Sequence, residues 1–454
     1  MFERLQAILA KTDAEYADIR YEMKRETSIV FNGKELTTIG SSSTDGFVLR
    51  VLKNGGLSSI SFTKEKDWER AVRKVQENAL IISKNTKEPV RFAETETVRE
   101  TFIPELKEDP REISMDEKFE LTKRYNDIAF RNEKVVTTNI SYAEVIREKY
   151  FLSMEGSRIR EDLITTFLGG SITSKDGNNI QNVRLGLGGS NGLTVLRNGE
   201  AEFEKKTAMA VQLLNAKPVE SGAYKVLLNP KLAGVFTHEA FGHFSEADLI
   251  EESPTMREKM KIGEKLGTEL LNIKDDPTLP NQLGFYKYDD EGVQVRPTQL
   301  MKKGVLTGRL HSRRTAAAFG EPLSGHCVAE DFRYAPIIRM GTIFIEPGND
   351  SADELFEKLG DGYYLLDSAG GQTTGENFTF AAQYGYQIKN GKIRDLIRDI
   401  NISGNLYETL QKISAVGRDL ELSKVGGCGK GQLNLRSCFG APHILVDNVV
   451  VGGT

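Results

Sequence analysis

The segment THEAFGHFSE, residues 237 to 246, sets two histidines, His238 and His243, around the carboxylate of Glu239. Imidazole nitrogens bind borderline metals, and a neighbouring carboxylate can take a proton from water, so these residue types suit metal-assisted hydrolysis. The spacing is awkward. A regular α-helix turns about 100° per residue, so residues five apart diverge by about 140° and cannot share one ion. A single π-turn would bring them back to one face, and Gly242 makes distortion or helix termination cheap beside His243. The sequence therefore predicts a departure from α geometry between His238 and His243, near Gly242. The plain alternative is a packed histidine pair, although two of the chain's five histidines fall in this one turn.

A catalytic zinc commonly takes three protein ligands. The stretch VGGCGKGQ, residues 425 to 432, offers Cys428 among four glycines, where a thiolate could approach an ion without crowding. Its alternative is a small buried side chain in a tight turn. Glu246 and Asp248 follow His243 and could orient a ligand from behind. His326, in SGHC, is a weaker candidate for substrate contact or oxyanion support, against a structural, hydrogen-bonded role. Cys327 and Cys438 lack the glycine setting and read as interior residues.

These residues need elements to hold them. Val226 to Leu228 reads as an apolar strand, after which Asn229 can cap a helix and Pro230 fits its first turn. Leu232, Val235 and Phe236 form the expected packing face of the helix that carries His238. The polar stretch before it suggests a boundary, giving residues 1–217 as a scaffold and substrate-enclosing domain and 218–454 as the metal-bearing domain. Upstream, Phe2, Leu5, Ile8 and Leu9 mark a short amphipathic helix, and residues 31–63 read as hairpins. Helices follow at Trp68–Ala79 spacing and after Ser114, and strand signals run from about 135 to 212. Beyond residue 280 the pattern is mostly β, with turns at Lys303-Gly304 and Asn390-Gly391 and a capping box at Ser351 and Glu354. The expected class is α+β: a mixed α/β N-terminal domain and a largely antiparallel β C-terminal domain carrying the metal helix.

Composition narrows the function. With 60 basic and 65 acidic residues spread along 454, and a net charge of -5, no basic tract suits a phosphate backbone, which disfavours direct nucleic-acid binding. No run approaches the roughly 18 apolar residues of a membrane span, and the N-terminus lacks a signal-peptide pattern. Three cysteines without a C-x-x-C pair argue against a disulfide framework or zinc knuckle, and a reducing cytoplasmic location is expected.

Taken together, THEAFGHFSEAD, DDEGVQVRPTQLMKKGVLTGRLHSRRTAAAFG, SGHCVAEDFRYAPIIRM, TIFIEPGN, GGQTTGENFTFAAQYGYQIKNGKI and GGCGKGQ closely resemble the TldD/PmbA family. The resemblance spans nearly the whole chain and points to the TldD-like, zinc-dependent peptidase kind. It implies zinc held by His238, His243 and Cys428, and Glu239 as general base acting on a zinc-bound water. It also implies small or unfolded peptides bound as extended strands in an enclosed site, and a homodimer or a heterodimer with a paralogue. A different reading is a non-catalytic regulatory partner, of the kind the family's older gyrase-modulator label suggests. An amidase acting on small molecules would share the zinc site.

Overall fold

The computed structural model describes residues 1–433 and 436–453. Its first unit is a 7-stranded sheet of long antiparallel strands, in the order Gly56–Phe62, Glu35–Lys53, Tyr16–Asn32, Val135–Ser153 and Arg158–Asp176. At the far side Arg158–Asp176 carries Asn179–Gly189 antiparallel and the short Arg99–Phe102 in parallel. Alternation along these strands feeds two apolar clusters. Ile19, Leu49 and Val51 pack under the helices Phe2–Leu9 and Trp68–Asn85. Ile29, Ile140 and Leu168 pack under Met115–Ala129, with Phe203 from the helix Glu200–Gln212. The helix at Glu200–Gln212 corrects the strand reading to residue 212; the last strand of this sheet ends at Gly189.

The second unit contains a closed ring of five strands. Gly362–Thr374 pairs with Gly222–Leu228, which pairs with Ile444–Gly452, then Ile400–Asn405, then Asn377–Lys389, which returns to Gly362–Thr374. Most pairings are antiparallel, as expected. Lys217–Pro218, at the expected domain boundary, already pairs with Ile397 and Arg398 of this second sheet. Asn390 and Gly391 both take positive φ, 50° and 69°, which suits the two-residue hairpin between Asn377–Lys389 and Lys392–Arg398. Ser351 and Glu354 form the capping box read from sequence.

The helix Pro230–Ala240 lies between this ring and a smaller mixed sheet that includes Thr342–Ile345 and Cys438–Ala441. The Asn229 side chain accepts from the Leu232 N–H and Pro230 opens the helix, as the sequence requires. Leu232 and Phe236 are buried in the main apolar cluster, whereas Val235 lines a cavity between the two units. No described helix is long and apolar enough to cross a membrane.

Candidate metal centre

The helix ends at Ala240. Phe241 leaves helical geometry at φ -134° and ψ -38°, and Gly242–Ser245 continues as a tighter 3-10 turn. The departure falls where the spacing demanded it, but it is an α-to-3-10 break and not a π-turn. Gly242 is required there because a Cβ would overlap the Met340 sulfur. As a result the two imidazoles meet edge to face, with centroids 5.1 Å apart and planes at 84°.

Cys428, on the loop before Cys438–Ala441, completes the group. Its Sγ lies 3.6 Å from His243 Nε2, and one donor atom each from His238, His243 and Cys428 lie within 4.8 Å of one another. Nitrogen and sulfur ligands of one tetrahedral zinc sit about 3.6 Å apart, so the His243–Cys428 edge has the spacing of a shared ion. His238 is 3% exposed, yet its Nδ1 has no hydrogen-bond partner. A buried ring nitrogen is expected to be paired, so an orphan beside a second imidazole and a thiol suits a ligand set. Burial pushes the Cys428 thiol up, but the His238 and His243 imidazoles outweigh it and hold the thiol at about 5. Two histidines and a thiolate fit zinc.

Behind the donors stands a charged brace. Glu246, fully buried, faces His243 Nδ1 at 3.7 Å, receives Arg339 at 3.1 Å and receives Lys430 at 2.8 Å. Burial raises its carboxyl, but Arg339, His243 and Lys430 prevail and hold it at about 2. Lys430 also donates to Asp248 at 2.7 Å, so the cysteine loop is tied to the segment after His243. Glu239 sits on the cavity side, its Oε2 3.9 Å from His243 Nε2. Thr373, on Gly362–Thr374, donates to the Glu239 carboxylate at 3.1 Å and to its backbone oxygen at 2.8 Å. Thr373 and Lys430 carry no chemical signal in sequence; only their places, inside GGQTTGEN and two residues past Cys428, could have drawn attention to them.

The other candidates are elsewhere. His326 is fully buried, its ring between Asp275 at 2.9 Å and the Ser324 carbonyl at 2.9 Å, so it touches no substrate. Cys327 and Cys438 are buried and free.

The cavity beside Glu239 measures about 1100 Å³ and lies between the units, with Phe167 and Arg184 from the first sheet facing Leu366 and Ser368 from the second.

Three sequence models cover most of the chain: PmbA/TldA metallopeptidase domain 1 over residues 17–79, the central domain over 108–217 and the C-terminal domain over 221–453. The chain belongs to the PmbA/TldD metallopeptidase family. Three relatives agree over nearly their whole length. A metalloprotease of Synechocystis sp. is 34% identical, covering 98% of this chain and 96% of the relative. A metalloprotease of Methanothermobacter thermautotrophicus is 36% identical, covering 97% and 96%. A zinc metalloprotease TldD homolog of Saccharolobus solfataricus is 30% identical, covering 97% of each. Among solved structures, a putative modulator of a DNA gyrase from Thermotoga maritima superposes with a TM-score of 0.81 at 23% identity, covering 100% of both chains. TldE from Thermococcus kodakarensis gives 0.80 at 19%, again over 100% of both. At such identities these two establish the shared PmbA/TldD fold.

Proposed function

We propose that this chain is a zinc peptidase that hydrolyses small or unfolded peptides. The observation that carries the reading is the convergence of His238, His243 and Cys428 next to Glu239 on the wall of an interdomain cavity. His238, His243 and Cys428 would hold a zinc ion, which when bound would acidify water and polarise a carbonyl. Glu239 takes the proton from the attacking water and returns it to the leaving amine. Thr373 holds the carboxylate for that transfer by donating to Oε2, the oxygen that faces His243. A cavity of about 1100 Å³ suits an extended chain, and a folded domain would have to unfold to enter it. A second copy or a paralogue completes the assembly in the cytoplasm, as the family resemblance implies.

The test is direct. Zinc-loaded parent should cut unstructured peptides and a chelator should stop it. Glu239→Gln should retain zinc while its kcat falls about 10²- to 10⁴-fold, the usual worth of a general base. Cys428→Ala should lose zinc to a competing chelator. If Glu239→Gln cuts as fast as the parent, Glu239 is not the base; if zinc-loaded parent cuts nothing, the regulatory reading takes precedence.

A further inference from the structure

One wall of the cavity is the edge of a strand. Asn179–Gly189 pairs with Arg158–Asp176 alone among the described strands, so its outer side carries backbone groups that no neighbouring strand takes. Arg184, Leu185, Gly186 and Leu187 line the cavity in succession. One position on this edge is already filled. Gln383, on Asn377–Lys389 of the second unit, accepts the Arg184 N–H through Oε1 at 2.8 Å and donates from Nε2 to the Arg184 carbonyl at 3.1 Å. A carboxamide offers the same donor and acceptor as a peptide group, so this side chain stands where one residue of an added strand would pair. Nε2 also donates to the Ser368 carbonyl at 2.9 Å, and Arg184 Nη1 donates to the Ala369 carbonyl at 3.2 Å, which holds the plug in place.

Outward N–H and C=O groups recur at every second residue of an antiparallel strand. Arg184 points both of its groups away from Arg158–Asp176, so Gly186 is the next residue to do so. No backbone hydrogen bond from a loop reaches Gly186 among the described residues. Beyond it the cysteine loop closes in, for the Lys424 carbonyl oxygen lies 2.8 Å from where a Cβ on Gly188 would sit. The open part of the edge is Gly186, with Gln383 bounding it on one side and the cysteine loop on the other.

The strand Gly362–Thr374 measures how far the plug stands from the hydrolytic group. Gln383 is bonded to its Ser368, while an added Cβ on its Gly371 would lie 3.5 Å from Glu239 Cγ. Three steps at about 3.3 Å each, shortened by a bulge after Ser368, give at most about 10 Å, or roughly three residues of extended chain.

We infer that Gln383 is a length stop: a peptide laid along this edge pairs with Gly186, cannot pair past Gln383, and is cut about three residues from its stopped end; this rests on the peptidase reading of the cavity. Cut positions in an unstructured decapeptide, labelled at either end, are mapped by mass spectrometry with the zinc-loaded parent and variants. The parent should release pieces of about three residues from one end. Gln383→Ala and Gln383→Ser each free the Arg184 N–H and carbonyl, one outward position further along, so the pieces should lengthen by about two residues. Either variant suffices if the other fails to fold. Gln383→Met loses the hydrogen bonds but fills the same space, so it should keep the parental piece length, whereas a purely structural clasp would fail in Met as it does in Ala. Binding is followed separately on the Glu239→Gln chain, with decapeptides N-methylated at one position each to remove a single N–H. Adding Gln383→Ala to that chain should create one further sensitive position, about two residues beyond the last. Unchanged pieces in Gln383→Ala and Gln383→Ser, or the same shift in Gln383→Met, overturns the stop and keeps the peptidase. The further sensitive position without any cleavage by the parent does the reverse.

Discussion

Two buried polar clusters in this protein follow opposite rules. Along the contact between the first sheet and the 289–291 loop runs an ionic seam in which cations and anions alternate. Arg147 pairs with Glu22 at 2.8 Å, Lys149 with Glu161 at 3.0 Å and Asp290 at 3.1 Å, and Arg20 with Asp290 at 3.3 Å. The His238–His243–Cys428 group instead gathers two imidazoles and a thiol of the kind that ligate a metal, and the charges of Glu246, Arg339 and Lys430 stand behind it. The seam is complete by itself and reads as architecture. The donor group could hold a metal ion, and reads as chemistry.

That contrast breaks if the two clusters depend on each other. The largest expected effect is at the seam: Arg147→Met leaves the buried Glu22 carboxylate with only Arg20, at 3.8 Å, and should lower unfolding free energy by about 3 kcal/mol in a denaturant titration. Zinc content of the folded variant should match the parent; zinc lost along with stability would mean one network, not two. Next, Lys430→Met keeps the side-chain stem but frees the cysteine loop. It should weaken zinc about 10- to 100-fold in chelator competition, with Lys430→Arg recovering part of the loss, and should leave stability nearly unchanged.

Acid should separate the clusters in pH. Burial raises the carboxyl of Asp331, whose backbone oxygen accepts from the seam's Arg20 at 3.2 Å, but bonds from Arg333 and the charge of Lys24 outweigh it and hold it at about 2. The folded value lies below the unfolded value of about 3.9, so its contribution, about 2 kcal/mol, is full above about pH 4 and lost as pH falls towards 2. Histidine ligands must be neutral to bind zinc; burial lowers the His243 imidazole, but Cys428 and Glu246 outweigh it and hold it at about 9, so zinc binding should weaken as pH falls below that, well before Asp331 titrates. Following zinc release and circular dichroism in one titration should show a metal-free, folded interval; coincident transitions would sink the separation. The smallest effect is Thr373→Val, which removes the hydroxyl that reaches both the Glu239 carboxylate and its backbone oxygen and should lower kcat about tenfold with KM unchanged. A change in KM alone would place Thr373 in substrate binding.

Local signals were legible in the sequence because their physics is local. The Asn229–Pro230 start and the Asn390-Gly391 turn depend on neighbouring residues, and both appear as read. The helix Glu200–Gln212 was hidden because its buried side includes Lys206, which is inside only because Asp367 of the other unit neutralises it. A lysine on the core face erases the apolar period that marks a helix. The five-residue spacing of the histidines announced a distortion. Its kind was set by Met340 and Ile343 pressing on Gly242 from distant sequence, so no local rule could select a 3-10 turn over a π-turn.

The thiol and the nearer histidine are 185 residues apart in the chain. During synthesis at about 5–20 residues per second, that separation leaves the histidine helix waiting roughly ten seconds or more before its thiol exists. The loop bearing Cys428 leads straight into Cys438–Ala441, which must add beside Thr342–Ile345 before the thiol is held in place. The donor group is therefore assembled late in folding, as a product of tertiary closure, and an incomplete or opened chain lacks it.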